Sequence, residues 1–238
     1  MKQNETRTGE KGAPYGCPKP RSMDRRARKT RAALTAALLT LLKEKPVRAI
    51  TVTELTELAD VNRATFYVHY QDVYDLYGQM KEDACLICRD IIRKHADEIA
   101  AEQFQDFFED LFSELALNAD LADVAFGEYS DGSLLGDIID TVRTHCFEAL
   151  DVDNIVKSTL RAHDAARDRD ADMCAALCSY QFDFMAGGVI NILKSWITDG
   201  RREPVRVVAA IAGSYLDIAH KSMIARNMKT IEAMGAWD

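Results

Sequence analysis

The spacing of apolar residues along the chain follows a helical period over most of its length. The first such stripe predicts a helix that ends near Glu44, ahead of Pro46, since the residue before a proline is unfavourable in a helix. Its members are Leu34, Ala37, Leu38, Leu41 and Leu42. From Asp72 the same spacing continues to about Ala100 and predicts one long helix. The pattern therefore predicts an all-α protein.

The remaining helices follow from the same pattern and from the turn residues between them. Two helices end at Leu117 and Phe126, a Gly-, Ser- and Asp-containing loop spans 127–132, and further helices cover Leu134 to Leu150 and Ile155 to His163. Two long helices close the chain, about Ala171 to Thr198 and Val205 to Arg226, separated by Asp199-Gly200 and opened by Pro204.

The first of these two long helices is apolar on more than one side. Because such a helix has to be buried on two sides and no other helix of the chain remains to cover it, the pattern predicts a homodimer with a four-helix interface. Close approach of backbones at Gly187-Gly188 is favoured over the alternative that the glycines only loosen the helix. The predicted interface residues are Gly187, Gly188, Ile190, Trp196 and Tyr215.

The stretch from Ile50 to Leu76 predicts two short helices joined by a three-residue turn. Thr51 and Glu54 form the T-x-x-E pattern of a capping box, which places a helix start at Val52. Asn62 is a predicted cap for the second helix, whose Phe66 and Tyr70 face the core at i, i+4 spacing. This is the arrangement of a helix-turn-helix, although two amphipathic helices in an ordinary helical domain would have similar periodicity.

The opposite face of the second helix carries hydrogen-bonding side chains of different lengths, which suit a helix lying in a DNA major groove. We expect Arg63 to contact base edges and the hydroxyl and imidazole groups to contact phosphates. The predicted DNA-binding residues are Arg25, Arg28, Thr51, Thr53, Asn62, Arg63, Ala64, Thr65, Tyr67, Val68 and His69.

The sequence T-F-Y-x-H-Y, followed by Asp72 as a second cap, resembles the helix-turn-helix of the TetR (tetracycline-repressor-like) family of bacterial transcriptional regulators. The resemblance is specific over residues 30–76. It implies a three-helix DNA-binding domain at 22–71 and a larger helical domain at 72–238 that binds an effector and dimerises. Two positions depart from the family: Asp60 stands where a turn glycine is usual, and Val73 stands where a phosphate-binding lysine is common.

Charge is distributed unevenly along the chain. The net charge is -8, but residues 1–31 carry a balance of +7 and the rest of the chain carries -15. Residues 1–21 contain Pro14, Pro18 and Pro20 without apolar periodicity and are predicted to be a disordered basic arm. A basic end on an acidic protein directs that end towards double-stranded DNA. The polar start and the lack of a membrane-length apolar run predict a cytoplasmic protein that does not engage a membrane.

Four of the six cysteines form two pairs at helical spacing, Cys85 with Cys88 and Cys174 with Cys178. Both pairs lie in apolar helical runs, which favours packing over a redox or zinc role, though the sequence leaves those roles open. No nucleotide-binding, zinc-protease or nucleophile-elbow motif is present, so an enzyme is disfavoured, and neither a catalytic site nor a cofactor or metal is predicted.

The sequence therefore predicts a homodimeric, sequence-specific transcriptional regulator, more commonly a repressor, whose DNA affinity responds to a small-molecule effector. The alternative is a helical interaction protein that keeps the fold without specific DNA binding. The family resemblance locates an effector site among the middle helices, with its ligand unknown. The suggested lining residues are Phe104, Phe108, Phe126 and Phe147.

Overall fold

A computed structural model describes residues 21–152 and 168–233 of the chain, with side chains described for 25–152 and 175–219. Regular structure in these ranges is entirely helical, which confirms the predicted all-α class. The predicted arm, apart from Arg21, and the predicted helix from Ile155 to His163 lie outside the described residues. The helices are α1 (Arg21–Leu42), α2 (Val52–Leu58), α3 (Arg63–His69), α4 (Val73–Lys94), α5 (Ala96–Ala100), α6 (Gln105–Leu117), α7 (Ala119–Phe126), α8 (Ser133–Ala149), α9 (Asp168–Thr198) and α10 (Val205–Ala233).

Residues 21–72, which we call the head, contain α1, α2 and α3 with a single 3-10 turn at Val47–Ala49. Thr51 and Glu54 form the predicted capping box: the Thr51 hydroxyl accepts the Glu54 N–H, and the Glu54 carboxylate accepts the Thr51 N–H. The three helices share one core, which continues into the body through residues such as Leu76, Val124 and Leu134. Its completely buried side chains are Leu34, Leu38, Leu55 and Phe66.

The described residues from Val73 onwards form the body. Helix α4 leads out of the head and packs along α8, while α6 packs along α10, and α9 packs against both α7 and α10. Helix α7 also touches α1, so that the head rests on the body at a second place besides α4. No helix in the described part of the chain is long and apolar enough to cross a bilayer.

The predicted single helix from Asp72 to Ala100 is wrong, because the chain breaks between α4 and α5 at His95. The buried His95 lies with Nε2 2.9 Å from Oδ2 of Asp110 on α6, and Lys94 pairs with the same carboxylate. Hydrogen bonds from Lys94 and His95 lower the pKa of Asp110. Because the break occupies only one residue, the apolar stripe continues across it and periodicity could not reveal it.

The prediction that only a second copy of the chain could bury the apolar sides of the last two helices is also wrong. Helix α6 packs along one side of α10. The two helices approach closely at Gly213, where a Cβ would stand 3.0 Å from the Gln105 Cα. A side chain there would push the two helices apart. Sequence periodicity marked both apolar faces but could not identify α6 as the partner of α10.

Candidate DNA interface and ligand cavity

Helix α3 is held in place by its caps and by the turn before it. The Asn62 side chain accepts the Ala64 N–H at 2.8 Å, as predicted. Asp60 adopts a left-handed conformation with φ 51°, and the Val61 N–H donates to the Thr56 carbonyl at 3.0 Å to close the turn. Aspartate tolerates this conformation better than most residues, which explains how the turn forms without glycine.

The outward face of α3 presents the residues that the sequence assigned to DNA. Asn62, Arg63, Ala64, Tyr67 and Val68 are exposed, the last two at 52% and 77%. Thr65 and His69 lie half-buried at the edges of this face. Phe66 and Tyr70 turn inward, with the Phe66 ring 5.4 Å from Tyr67 in an edge-on contact that supports the exposed ring. The face therefore presents exposed polar groups on a helix whose inner side is held by buried aromatic side chains.

The two predicted contacts on α2 differ in what they offer to DNA. Thr53 is exposed, whereas the hydroxyl of Thr51 is engaged in the capping box, donating to Glu54 Oε2 at 2.9 Å. Lys45 lies 2.5 Å from the other Glu54 oxygen. Hydrogen bonds from Lys45 and Thr51 lower the pKa of Glu54 to about 2, so the carboxylate of the box is charged at any neutral pH. The main role of Thr51 is therefore to cap the N-terminus of α2.

Arg25 and Arg28 are exposed near the start of α1, in keeping with a role at the phosphate backbone. At the start of α4, Val73 is buried in the core and leaves no room for a phosphate contact there. The neighbouring Tyr74 is exposed at 56%, two residues after Asp72, which caps the helix through the Asp75 N–H. Tyr74 is a DNA-facing candidate that the sequence reasoning missed, although its place directly after the cap could have indicated it.

A cavity of about 150 Å³ lies in the body between α4, α6, α7, α8, α9 and α10. Of the suggested lining residues, Phe104, Phe108 and Phe126 do line it. Phe147 does not, because its ring packs edge-on against Phe182 at 5.5 Å. The lining residues are Cys88, Phe104, Phe107, Phe108, Leu111, Leu115, Ala125, Phe126, Leu135, Ile138, Ile139, Val142, Cys146, Leu150, Phe182, Met185, Ala186, Val189, Ile190, Leu193 and Leu216.

Among the residues that the structure describes, the cavity wall consists of hydrocarbon side chains, aromatic rings, one thioether and two thiols. Burial raises the pKa of Cys88 to about 11 and that of Cys146 to about 12, so both thiols are neutral. Unfilled apolar space inside a protein lowers its folding stability, and a ligand that filled this cavity would restore part of that stability.

Four of the cysteines have described side chains. Cys85, Cys88, Cys146 and Cys178 are free thiols, and burial also raises the pKa of Cys178. The side chain of Cys174 lies outside the described residues. Among the side chains that are described, no group of three or more His, Cys, Asp or Glu residues is placed to hold a metal ion.

Helices α9 and α10 leave one apolar surface exposed, which we call the outer face. Tyr180 and Phe184 are each 70% exposed, and among the described residues no atom lies within 4 Å of a Cβ built at Gly187 or Gly188. The outer face comprises Tyr180, Phe184, Gly187, Gly188, Val207, Ile211, Tyr215 and Ile218.

Two of the predicted dimer residues lie elsewhere. Trp196 is only 6% exposed, and its Nε1–H donates to the Glu203 carbonyl at 3.0 Å, so it stabilises the turn between α9 and α10 from inside. Ile190 is half-buried and lines the cavity. Apolar character alone did not separate these inner positions from those of the outer face.

Asp123 on α7 connects the head to the body. Its Oδ2 lies 3.1 Å from Nζ of Lys43 in the head, and its Oδ1 lies 2.5 Å from Nη2 of Arg201 after α9. Burial raises the pKa of Asp123, but Arg201 and Lys43 lower it by more. Ala125 and Phe126 on the same short helix line the cavity. Helix α7 therefore contacts the cavity, the head and the α9–α10 turn.

Comparison with known structures identifies the architecture. The structure of the fatty acid degradation regulator FadR from Bacillus halodurans matches with a TM-score of 0.53 and 12% identity, over 79% of this chain and 94% of that one. A TetR transcriptional regulator from Streptococcus agalactiae 2603V matches with a TM-score of 0.51 and 21% identity, over 82% of this chain and 97% of that one. The chain therefore has the fold of TetR-family transcriptional regulators.

One similarity is detectable at the level of sequence. The chain is 38% identical over 76 residues to the uncharacterized HTH-type transcriptional regulator YxbF of Bacillus subtilis (strain 168). The matched region is 32% of this chain and only 20% of that relative, so the similarity does not extend to the whole of either protein. No protein-family model matches the chain.

Proposed function

We propose that the protein is a homodimeric, sequence-specific DNA-binding regulator of transcription whose DNA affinity responds to a small apolar effector. The observation that carries the proposal is the outward face of α3. There, Asn62, Arg63 and Tyr67 are exposed on a helix whose other side is anchored by the buried Phe66. The TetR-type fold and the similarity to an HTH-type regulator support it.

Within this face, Arg63 has the side chain best suited to read a base. A guanidinium can donate two hydrogen bonds to the O6 and N7 acceptors of guanine in the major groove, which no other side chain on α3 can match. Arg25 and Arg28 on α1, together with Tyr74 at the start of α4, would contact phosphates. This division predicts that sequence choice and overall affinity depend on different residues.

Gel-shift measurements with the upstream DNA of the gene and with variants of that site test the proposal. Arg63→Ala is expected to weaken binding by about 1–3 kcal/mol and to relax preference at one base position. Arg93→Ala serves as the matched control, because Arg93 is exposed on α4 in the body, where it pairs with Asp90. A protein that binds every DNA equally and weakly would instead be a helical interaction protein that keeps the fold.

Dimerisation is proposed through the outer face. Val207, Ile211 and Ile218 recur at helical spacing on α10, and Tyr180 and Phe184 do so on α9, which forms two adjoining apolar stripes. Large exposed apolar patches on a protein generally mark interaction surfaces. The open surface at Gly187 and Gly188 would let the backbone of a second copy approach closely. A two-fold dimer would present two α3 helices to successive half-sites.

Sedimentation of Phe184→Asp tests this interface. The substitution places a charge at a position that is 70% exposed in one chain, so the monomer fold should survive while the dimer dissociates. Leu117→Asp is the control, since Leu117 is 80% exposed but lies at the end of α6, outside the outer face. A native protein that sediments as a folded monomer would remove the proposal.

Effector response is proposed to pass through α7. A ligand that displaced Phe126 or Ala125 would shift the helix that carries Asp123, and with it the ion pair to Lys43 in the head. Discrete contacts of this kind can transmit a change from one site to another. Whether the result is repression or activation depends on the position of the DNA site relative to its promoter.

A further inference from the structure

We propose that Val68 on α3 selects a thymine in the DNA site, by packing its isopropyl group against the methyl group of that base. The inference rests on the proposed function, because it takes the outward face of α3 as the surface that enters the major groove. It adds the identity of one base, which the hydrogen-bonding side chains of the helix do not determine. It follows from the direction in which Val68 points, from its exposure and from the chemistry of the base edges.

Val68 points directly away from the core of the head. Phe66 is completely buried and fixes the inner side of α3. An α-helix turns by about 100° per residue, so a position two residues from Phe66 in either direction lies almost opposite its side chain. Ala64 and Val68 are these two positions, and both are exposed. When α3 lies in a groove with Phe66 towards the head, Ala64 and Val68 therefore face the floor of the groove.

The polar side chains of α3 lie to either side of this line. Arg63 and Tyr67 are exposed on one flank, and Thr65 and His69 are half-buried on the other. From the flanks, such groups can reach phosphates and the edges of neighbouring bases. The middle of the face carries only an alanine and a valine, and the small Ala64 lets the helix backbone come close to the DNA. The base edges beneath the centre of α3 therefore meet hydrocarbon.

The exposure of Val68 is large for a purely apolar side chain, at 77%. A surface position on a helix of seven residues would ordinarily be filled by a better helix former, since branching at Cβ restricts the side chain in a helix. Single exposed apolar residues are common on proteins, so exposure by itself assigns no role. At the centre of a helix that faces DNA, the same exposure makes the isopropyl group available to a base.

Thymine is the base whose edge matches this group. It alone among the four bases presents a methyl group in the major groove, and packing that methyl against Val68 removes apolar surface of both from water. Adenine and cytosine would present an amino group, and guanine a carbonyl oxygen. Val68 has no hydrogen bond to replace the water that such a group would lose. Val68 therefore favours thymine over the other three bases.

Replacing thymine by deoxyuridine tests the contact, because deoxyuridine pairs in the same way but lacks the methyl group. The full-length protein is first used to select its site from duplex DNA that contains a randomised segment. Each thymine of the selected site is then replaced singly, and gel shifts measure the affinity. At one thymine position, the replacement is expected to weaken binding by roughly three- to five-fold for each methyl group removed. Replacements at the other thymines should have much smaller effects.

Val68→Ala tests whether the valine is responsible. The variant should fold like the parent, because the side chain is largely exposed. It should bind the thymine and deoxyuridine duplexes nearly equally at the sensitive position, since the contact has already been removed. Leu117→Ala shortens another exposed aliphatic side chain, at the end of α6, and should keep the parent's preference. A methyl effect that persists in Val68→Ala would come from the shape of the DNA or from another residue, and would refute the assignment.

The outcomes distinguish this inference from the proposed function. If no sequence is enriched from the randomised DNA, sequence-specific recognition fails, and the thymine contact fails with it. If a site is enriched but binding is insensitive to the methyl group of every thymine, the contact of Val68 fails and sequence-specific recognition stands. Enrichment of a site, together with a methyl effect that disappears in Val68→Ala, supports both.

Discussion

The head and the body bury their apolar residues in different ways. In the head, Leu34, Leu38, Leu55 and Phe66 are completely buried, and the helix starts at Val52 and Arg63 are fixed by side-chain caps. The body leaves a cavity inside and an apolar outer face outside. The comparison indicates that the head is complete within one chain, while the body keeps two apolar surfaces available for other molecules.

This difference matches what the two regions would have to do. A helix that reads bases has to be held rigidly, because small displacements change which hydrogen bonds form. A body that responds to a ligand needs unfilled space and a surface at which its packing can change. The stability lost by an unfilled cavity is then part of how the protein would work.

The largest effect is expected from removing the centre of the head core. Phe66→Ala deletes a completely buried ring and should lower the free energy of unfolding by about 3–5 kcal/mol, because the surrounding helices cannot close the space. Specific DNA binding should be lost with it. Chemical denaturation measures the change. Val68→Ala, on the 77% exposed neighbour, should stay within about 0.5 kcal/mol of the parent. A similar loss in both variants would mean that the effect of Phe66→Ala does not come from the burial of its ring.

Matched alanine-to-leucine substitutions compare the two regions directly. Ala37→Leu places a larger side chain in the packed head core and should destabilise the protein by about 1–3 kcal/mol. Ala186→Leu extends into the cavity and should stabilise it by about 0.5–2 kcal/mol. Both residues are helical alanines, so helix propensity changes equally. Denaturation curves that shift in the same direction for both would show that the body is packed as tightly as the head.

A smaller effect is expected where head and body meet. Asp123→Asn weakens the links to both Lys43 and Arg201 and should cost about 1 kcal/mol, since these ion pairs are partly exposed. Asp120→Asn is the control, because Asp120 is far more exposed and pairs only with Lys43 among the ion pairs described. Effector-dependent changes in the gel shift should be reduced by Asp123→Asn and kept by Asp120→Asn.

The same link has a defined pH dependence. The pKa of Asp123 is lowered in the folded protein, so its contribution is present above the ordinary value of 3.8 and is lost as pH falls towards the folded value. The parent should therefore be more stable than Asp123→Asn at pH 7, and the two stabilities should converge below about pH 4. Denaturation at a series of pH values measures this convergence. A constant difference across that range would mean that Asp123 acts through its shape rather than its charge.

Much of the head could be predicted from the sequence because its determinants are local. The capping box of Thr51 and Glu54, the Asn62 cap and the left-handed Asp60 each depend on residues within four positions of one another. The body depends on contacts between distant residues. The break at His95 requires Asp110 on another helix, and the burial of Trp196 requires the turn that follows it. The spacing of residues along one helix indicates neither the break at His95 nor the burial of Trp196.

The candidate sites follow the same division. The exposed face of α3 was predicted because one helix determines it, whereas the cavity needs six helices to come together. Of the four suggested aromatic residues, Phe104, Phe108 and Phe126 line the cavity, whereas Phe147 packs against Phe182, and their role towards an effector stays a prediction. The interface assigned to Gly187, Gly188 and Tyr215 stays a prediction.

The contact between Gly213 and Gln105 has a consequence for how this protein could be adapted. Gly213 fixes the separation of α6 and α10, and these helices carry Phe104, Phe108 and Leu216 of the cavity wall. A Cβ at 3.0 Å from the Gln105 Cα would move the helices apart by a few tenths of an ångström. The cavity would then widen although every side chain of its wall stayed the same. If the cavity binds the proposed effector, selection for a response to bulkier effectors should recover substitutions at Gly213, which lies outside the wall.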